Sequence, residues 1–352
     1  MKAFIAFSKL DLKQAMMRLT TTAILAWMVL FFAAAPSSAA EAKVNFAYSA
    51  LDASYTAYWM AVEKGFFERY GVALGKSVYI SGASILMGSM ASGEIDAALV
   101  PANGPMNVQL SGGDITIFAA TLNLLPYYVF FSKSMTHLKD IEGRRAGISQ
   151  FGSGSHSGLL ALFQQEGINP SKVIFVRAGG MSSRVAAFTT GQIDLLAISP
   201  PYHLRLVDQG YPVRLNLFEK KVPWLQVALA ARRSWVEKNE RLAESVLKAL
   251  AEGGYYALAN PKDARAIWQK YLKLSDQRTE EETWTYFKKA FVADLSPDIQ
   301  GIANVRDFSI AQEAPKAKNV RPEQFVTWEP LESLKRGKFF DSIRSRYQVS
   351  LY

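Results

Sequence analysis

The residues with the plainest chemical potential lie in one short run, Gln150-Phe151-Gly152-Ser153-Gly154-Ser155-His156-Ser157, which follows a strand-like segment and opens a helical one. Glycine lets backbone approach a ligand closely, the unpaired N–H groups and dipole of a helix start attract an anion, and serine hydroxyls add donors. Gly152, Ser153, Gly154 and Ser155 are therefore candidates for holding a carboxylate, sulfonate or phosphate, and His156 for donating to it or sensing pH. The same residues also read as ordinary capping, which satisfies the first N–H groups of the helix and binds nothing. Ser157 stands where G-x-G-x-x-G wants its last glycine, so a dinucleotide reading is poor. The run Gly179-Gly180-Met181-Ser182-Ser183 repeats the idea more weakly and brings in Met181.

Other candidates follow from position in a strand-then-helix grammar. In open α/β sheets a ligand lies beyond the carboxyl ends of the strands, which selects the loops holding Asp52, Ser54, Ser81, Gly82, Asn103, Ser199 and Tyr202. Asp52 is suited to accept from an amine or ring N–H, or to cap the following helix in competition with Ser54; Asn103 is an amide hydrogen-bonder or a turn residue. Tyr55, Tyr58, Tyr127, Tyr128 and Trp224 offer flat walls for a ring, although Tyr58 and Trp59 share a helix that must also pack. The chain has no cysteine and only three histidines, His137, His156 and His203, widely spaced. Disulfides, thiolate metal sites, Cys nucleophiles and lipid attachment through a cysteine are thereby removed, and no metal or cofactor is expected.

The elements that must position these residues alternate. Strand-like runs at 44–48, 78–80, 95–100, 115–120, 127–131, 145–149, 173–177, 193–199 and 213–218 are separated by helical stretches such as 55–69 and 84–91, which predicts α/β architecture with mainly parallel sheets. An internal echo sharpens this: Ser92-Gly93-Glu94-Ile95-Asp96 with Pro101 returns as Thr190-Gly191-Gln192-Ile193-Asp194 with Pro200 and Pro201. Each copy reads as a helix closed by glycine, a strand entry, an apolar strand and a proline-initiated turn. One lobe is expected over 43–132 and a second over 137–222. After Trp224 one more strand (226–231) and then helices at 235–259, 262–271, 279–293 and within 331–346 are expected to complete the first lobe, so that 224–352 belongs to it and the chain crosses between lobes twice.

The 352 residues are 49% hydrophobic with a formal net charge of +9, which excludes a disordered chain and a polytopic membrane protein. Lys2, Lys9, Lys13 and Arg18 against Asp11 place +3 of that charge in residues 1–40. The remainder is scattered, which gives no reason to expect nucleic acid and leaves room for an anionic ligand. The apolar run 20–35, preceded by those basic residues and followed by Pro36-Ser37-Ser38-Ala39-Ala40, has the order of a cleaved secretory signal peptide spanning 1–40. At 16 residues it is short for the ~20 that a spanning helix needs. The mature chain is expected to be free in a compartment outside the cytoplasm, a Gram-negative periplasm fitting best.

The segment Tyr58-Trp59-Met60-Ala61-Val62-Glu63-Lys64-Gly65-Phe66-Phe67 with Gly71-Val72 resembles the A-x-E-x-G-F-F…G-V signature of periplasmic substrate-binding proteins of nitrate, sulfonate and taurine-type ABC transporters. Gly93 to Ala98, Leu138 to Ile148 and Gly191 to Asp194 match in the order of that family. The resemblance implies the type II periplasmic-binding fold: two hinged lobes that close on a small molecule and dock on an inner-membrane ABC permease, here as a monomer. Its motifs are scaffold and leave the solute open among sulfonate, carboxylate and pyrimidine-like compounds. The family's pyrimidine-synthase relatives need a Cys-rich loop that this chain lacks. An exported enzyme using the same cleft, or a ligand sensor for a membrane receptor, are the alternatives. Against the enzyme stand the missing Cys, the missing G-x-S-x-G elbow and the lack of a His spaced to serve Ser153.

Overall fold

The structure, a computed structural model, describes residues 42–312 and 314–349; the expected signal peptide, 1–40, lies outside them. The apolar runs become ten strands in two five-stranded sheets. The first sheet holds β1 (Ala42–Tyr48), β2 (Val72–Tyr79), β3 (Ala97–Val100), β4 (Ile115–Leu124) and β10 (Pro223–Arg232), in the order β2-β1-β3-β10-β4. The second holds β5 (Tyr128–Phe131), β6 (Arg145–Ile148), β7 (Ile174–Arg177), β8 (Leu195–Ile198) and β9 (Leu215–Asn216), in the order β7-β6-β8-β5-β9.

The two orders are the same pattern. In each sheet one strand, β1 or β6, pairs in parallel with the next two along the chain, β2 and β3 or β7 and β8, and one strand, β10 or β5, runs antiparallel between β3 and β4 or between β8 and β9. That antiparallel strand, β10 or β5, is the first laid down after the chain crosses from the other sheet, at 125–127 and again at 217–222. The expected boundary after residue 132 therefore needs correction. Tyr128–Phe131 pairs with Leu195–Ile198 of the second sheet, because its four apolar residues extend a buried sheet that β8, buried at all four positions, already fills on both faces.

The internal echo is a structural repeat. Gly93 and Gly191 both take positive φ (82° and 72°), closing the helices Ala83–Ala91 and Met181–Thr189. Ile95 and Ile193 are buried. Asp96 Oδ2 accepts from the backbone N–H of Asn45 at 2.9 Å, and Asp194 Oδ2 from that of Arg145 at 3.1 Å. Each carboxylate thus ties its strand to the neighbouring parallel strand, β1 or β6, and each is paired with an arginine, Arg232 or Arg145.

The C-terminal segment covers one face of the first sheet. Helices Glu240–Ala259, Pro261–Leu272 and Gln277–Ala290 bury Leu247, Leu250, Trp268, Tyr286 and Phe287 against Phe46, Trp59 and Phe118. The expected single helices are broken at Asn239, between Arg233–Lys238 and Glu240–Ala259, and at Gly337-Lys338, between Glu329–Arg336 and Phe339–Tyr347. A further helix, Ile299–Phe308, packs on β10 and on Gly154–Gln165 of the second lobe, its Ile302 and Val305 in one cluster with Leu159 and Phe163. The C-terminal segment therefore packs on the first sheet and, through Ile299–Phe308, on the second lobe as well.

Candidate functional site

Because the strands are followed by helices, the carboxyl ends of β1, β2, β3, β6, β7 and β8 converge, and a cavity of about 250 Å³ lies between the two lobes there. At the volume of liquid water it has room for about eight waters. That is the size of a short-chain or single-ring acid.

From the first lobe, the loop after β1 brings Ser49, Asp52, Ser54 and Tyr55, and the loop after β2 brings Ser81 and Gly82 beside Tyr79. Asp52 Oδ1 accepts from Ser54 N–H at 2.9 Å, which caps the turn Ala53–Tyr55, so the capping expectation holds while the side chain also borders the cavity. Ser54 Oγ is 2.8 Å from Tyr286 OH, and Tyr55 OH is 2.9 Å from Ser49 Oγ. The first crossover and β10 contribute Tyr127 and Gln226, joined by a 2.9 Å hydrogen bond from Gln226 Nε2 to Tyr127 OH. Gln226 Oε1 is buried without a partner. Burial pushes the phenols of Tyr55 and Tyr127 well up, so both remain neutral donors.

From the second lobe, Ser153 is the N-cap of the helix Gly154–Gln165, its Oγ accepting from His156 N–H at 3.3 Å and lying 3.0 Å from Ser155 Oγ. Ser153, Gly154 and Ser155 all border the cavity. Gly154 is needed for close approach, since a Cβ there would sit 2.2 Å from Gln226 Nε2. The helix Met181–Thr189 has no side-chain cap at Gly180, and Arg184 N–H makes its first turn bond, to Gly180 C=O. Met181, Ser182 and Ser183 therefore present cavity-side backbone N–H groups at an uncapped helix start. Tyr202, after β8, closes that side.

Arg184 decides the electrostatics. It is 2% exposed and borders the cavity. Its Nη1 donates to Ala197 C=O at 2.8 Å, its Nη2 lies 2.8 Å from the weak acceptor Met181 Sδ, and its Nε has no partner. Among the described residues no carboxylate comes within the 4.0 Å of an ion pair with it. Burial disfavours its charge, with Tyr127 and Asp52 opposing, but a guanidinium keeps its proton in proteins. The cavity therefore has a fixed, under-solvated positive group in its wall. Asp52 is likewise buried, and burial raises its carboxyl above the usual range against the hydrogen bonds of Ser54 and the charge of Arg184.

Six expected site residues lie elsewhere. Tyr58 is core: fully buried, stacked on Phe46 with ring centroids 4.4 Å apart, its hydroxyl 2.7 Å from Ser77 Oγ. Trp224 is core beneath the helix Ile299–Phe308, where Gly301 allows the backbones to touch. Ser199 is buried behind Met181, 3.7 Å from its sulfur. His156 packs its ring between Phe151 and Phe175, and its Nδ1 accepts from Gly152 N–H at 3.2 Å; burial lowers it to about 4, so it is a neutral core histidine. Gly152 and Asn103 stand outside the cavity and join the lobes, Asn103 Nδ2 donating to Gly152 C=O at 2.8 Å.

A family model described as "NMT1/THI5 like" matches residues 52–264, well over half of the chain. The chain belongs to the NMT1/THI5-like family. The matched span includes the cavity residues from Asp52 to Gln226. A Brucella abortus (strain 2308) relative, provisionally named a binding protein, is 24% identical over 239 residues, covering 64% of this chain and 72% of its own length. Among solved structures, the periplasmic nitrate-binding protein NrtA of Synechocystis PCC 6803 aligns with a TM-score of 0.68 at 15% identity, covering 84% of this chain and 88% of that one. The periplasmic aliphatic sulphonate binding protein SsuA of Escherichia coli aligns at 0.62 and 17% identity, covering 81% and 92%. These likenesses establish the periplasmic-binding fold for this NMT1/THI5-like chain. Among the described residues no helix is long and apolar enough to cross a membrane, and no group of three or more His, Asp or Glu is placed to hold a metal ion.

Proposed function

We propose that the protein is the solute-binding component of a periplasmic ABC importer, capturing one small organic acid in the cavity between its lobes and presenting the closed form, as a monomer, to an inner-membrane permease. The observation that carries this reading is Arg184, a buried guanidinium with no counter-ion, set beside the uncapped N–H groups of Met181–Ser183. Burying a charge without a partner is costly, and the cost is offset when an anion completes the pair. Nitrate and sulfonate binding by the fold neighbours is in keeping with that demand. Ser49, Ser81, Ser153 and Ser155 would add hydrogen bonds, and Tyr55, Tyr79 and Tyr202 apolar faces.

We read the cleft as a binding site rather than a catalytic one. Ser153 and Ser155 hydrogen-bond to each other, and among the described residues no hydrogen bond joins the ring of His156 to a serine hydroxyl, so neither serine has a base.

The test is thermal unfolding of the purified mature protein against nitrate, alkanesulfonates, short-chain and aromatic carboxylates, amino acids and pyrimidines. At least one acid is expected to raise Tm in proportion to the logarithm of its concentration. A folded protein whose Tm responds to no acid contradicts the reading.

A further inference from the structure

An anion on Arg184 matches the donors of the cavity but not Asp52, whose carboxyl caps the turn Ala53–Tyr55 and also borders the cavity. Asp52 stands on the first lobe and Arg184 on the second, both border the same cavity, both are more than nine-tenths buried, and they form no ion pair with each other or with any other described residue. Burying either charge alone is unfavourable, and a simple anion seated on Arg184 would face the negative charge of Asp52 across a low-dielectric gap. Gln226 borders the same cavity and its orphaned Oε1 is a second buried acceptor, whereas Arg184 and the backbone N–H groups of Met181–Ser183 are donors.

We infer that the ligand is bipolar: an acid that also carries a protonated nitrogen, its acid group on Arg184 and Met181–Ser183, and its nitrogen donating to Asp52, with Gln226 as the second acceptor. Such a molecule compensates both buried charges at once and bridges one lobe to the other, so that it binds the closed form in preference to the open one. Asp52 is then the residue that selects against the same acid lacking its nitrogen. The inference rests on the acid-binding reading and narrows it.

The experiment is calorimetric titration of the wild-type protein with matched pairs: ω-amino carboxylates and ω-amino sulfonates of increasing chain length, each against its deaminated parent acid. The best amino compound is expected to bind at least tenfold more tightly than its parent, and Asp52→Asn is expected to reduce that ratio at least tenfold in a protein that folds normally by circular dichroism. Repeating the wild-type titrations in two buffers of different ionisation enthalpy reads the proton directly. A parent acid is expected to bind with proton uptake by Asp52, and the amino compound with none. Parent acids that bind as tightly as their amino partners, or a ratio that Asp52→Asn leaves unchanged, overturn the inference while the acid-binding reading stands. If no acid of either set binds, that reading falls and the inference with it.

Discussion

Two histidines show how burial sets chemistry at single residues. His156 is enclosed by Phe151 and Phe175. His203 stacks on Tyr128 at 4.0 Å, with Glu282 3.5 Å from its Nε2 and Arg278 nearby. Burial lowers both to about 4, Arg278 adding to the effect at His203. Because the folded-state pKa is depressed below the unfolded value near 6.5, the unfolded chain binds these protons first as pH falls. Stability contributed by the neutral rings is thus complete above about pH 6.5 and lost progressively toward pH 4. Tm is expected to drop by several degrees between pH 6.5 and 4.5, above the range in which the lowered carboxylates titrate, and His156→Leu is expected to flatten that slope. A Tm independent of pH across this window would contradict the burial of both rings. In the sequence His156 was readable as an anion donor only because its neighbours Ser153 and Ser155 do face the cavity. The direction of its ring depends on Phe175, which arrives from a different strand. Arg184 is the converse case. It follows Ser182-Ser183 on a short helix where an arginine reads as solvated, whereas the fold buries it against β8, where it donates to Ala197 C=O.

At the scale of elements, the C-terminal helices are fastened by one carboxylate. Glu252, wholly buried on the helix Glu240–Ala259, accepts from Arg69 at 2.5 Å, Tyr70 at 2.6 Å, Arg346 at 3.0 Å and Tyr347 at 2.6 Å. Burial alone would raise its pKa, but the hydroxyls of Tyr347 and Tyr70 and the two arginines hold it below the usual range. Glu252→Ala leaves those four donors without an acceptor. The expected cost is roughly 3 kcal/mol, the lower end for breaking a buried ionic group because both arginines are half-exposed. Urea unfolding measures it, and hydrogen exchange is expected to show the helix Phe339–Tyr347 opening first; a loss below about 0.5 kcal/mol would remove the cluster from the stability account. Most elements were legible in the sequence because parallel strands are short apolar runs and helices show their period. The helix Ile299–Phe308 was not, since its ten residues are half polar and its apolar face meets a different lobe. The boundary near residue 132 was also misplaced, since periodicity tells that Tyr128–Phe131 is a strand but not which sheet it joins.

For the whole molecule, the proposed function makes closure and binding one event. The lobes meet at Asn103–Gly152 and again where Gly82 comes against Gln150, and a Cβ on Gly82 would lie 2.9 Å from Gln150 Nε2. The helix Gln277–Ala290 reaches across from the first lobe, pairing Arg278 with Asp208, and Glu282 with Tyr128 and His203. These polar contacts act beside the apolar packing of Ile302 and Val305 with Leu159 and Phe163, and a ligand that spans the cavity adds to the preference for the closed arrangement by touching both lobes. The duplicated sheet pattern that makes this geometry was visible in the Gly-x-Ile-Asp echo, whereas the cavity itself depends on how two lobes face each other, which no linear pattern carries. The most direct measurement is calorimetric titration of the acid that gives the largest thermal shift into wild-type and Arg184→Met proteins. At least a 100-fold loss of affinity is expected, equivalent to about 2.7 kcal/mol, in a variant whose Tm without ligand is unchanged or raised by loss of a buried charge; an Arg184→Met protein that binds the same acid within threefold of wild type would show that Arg184 does not hold the acid.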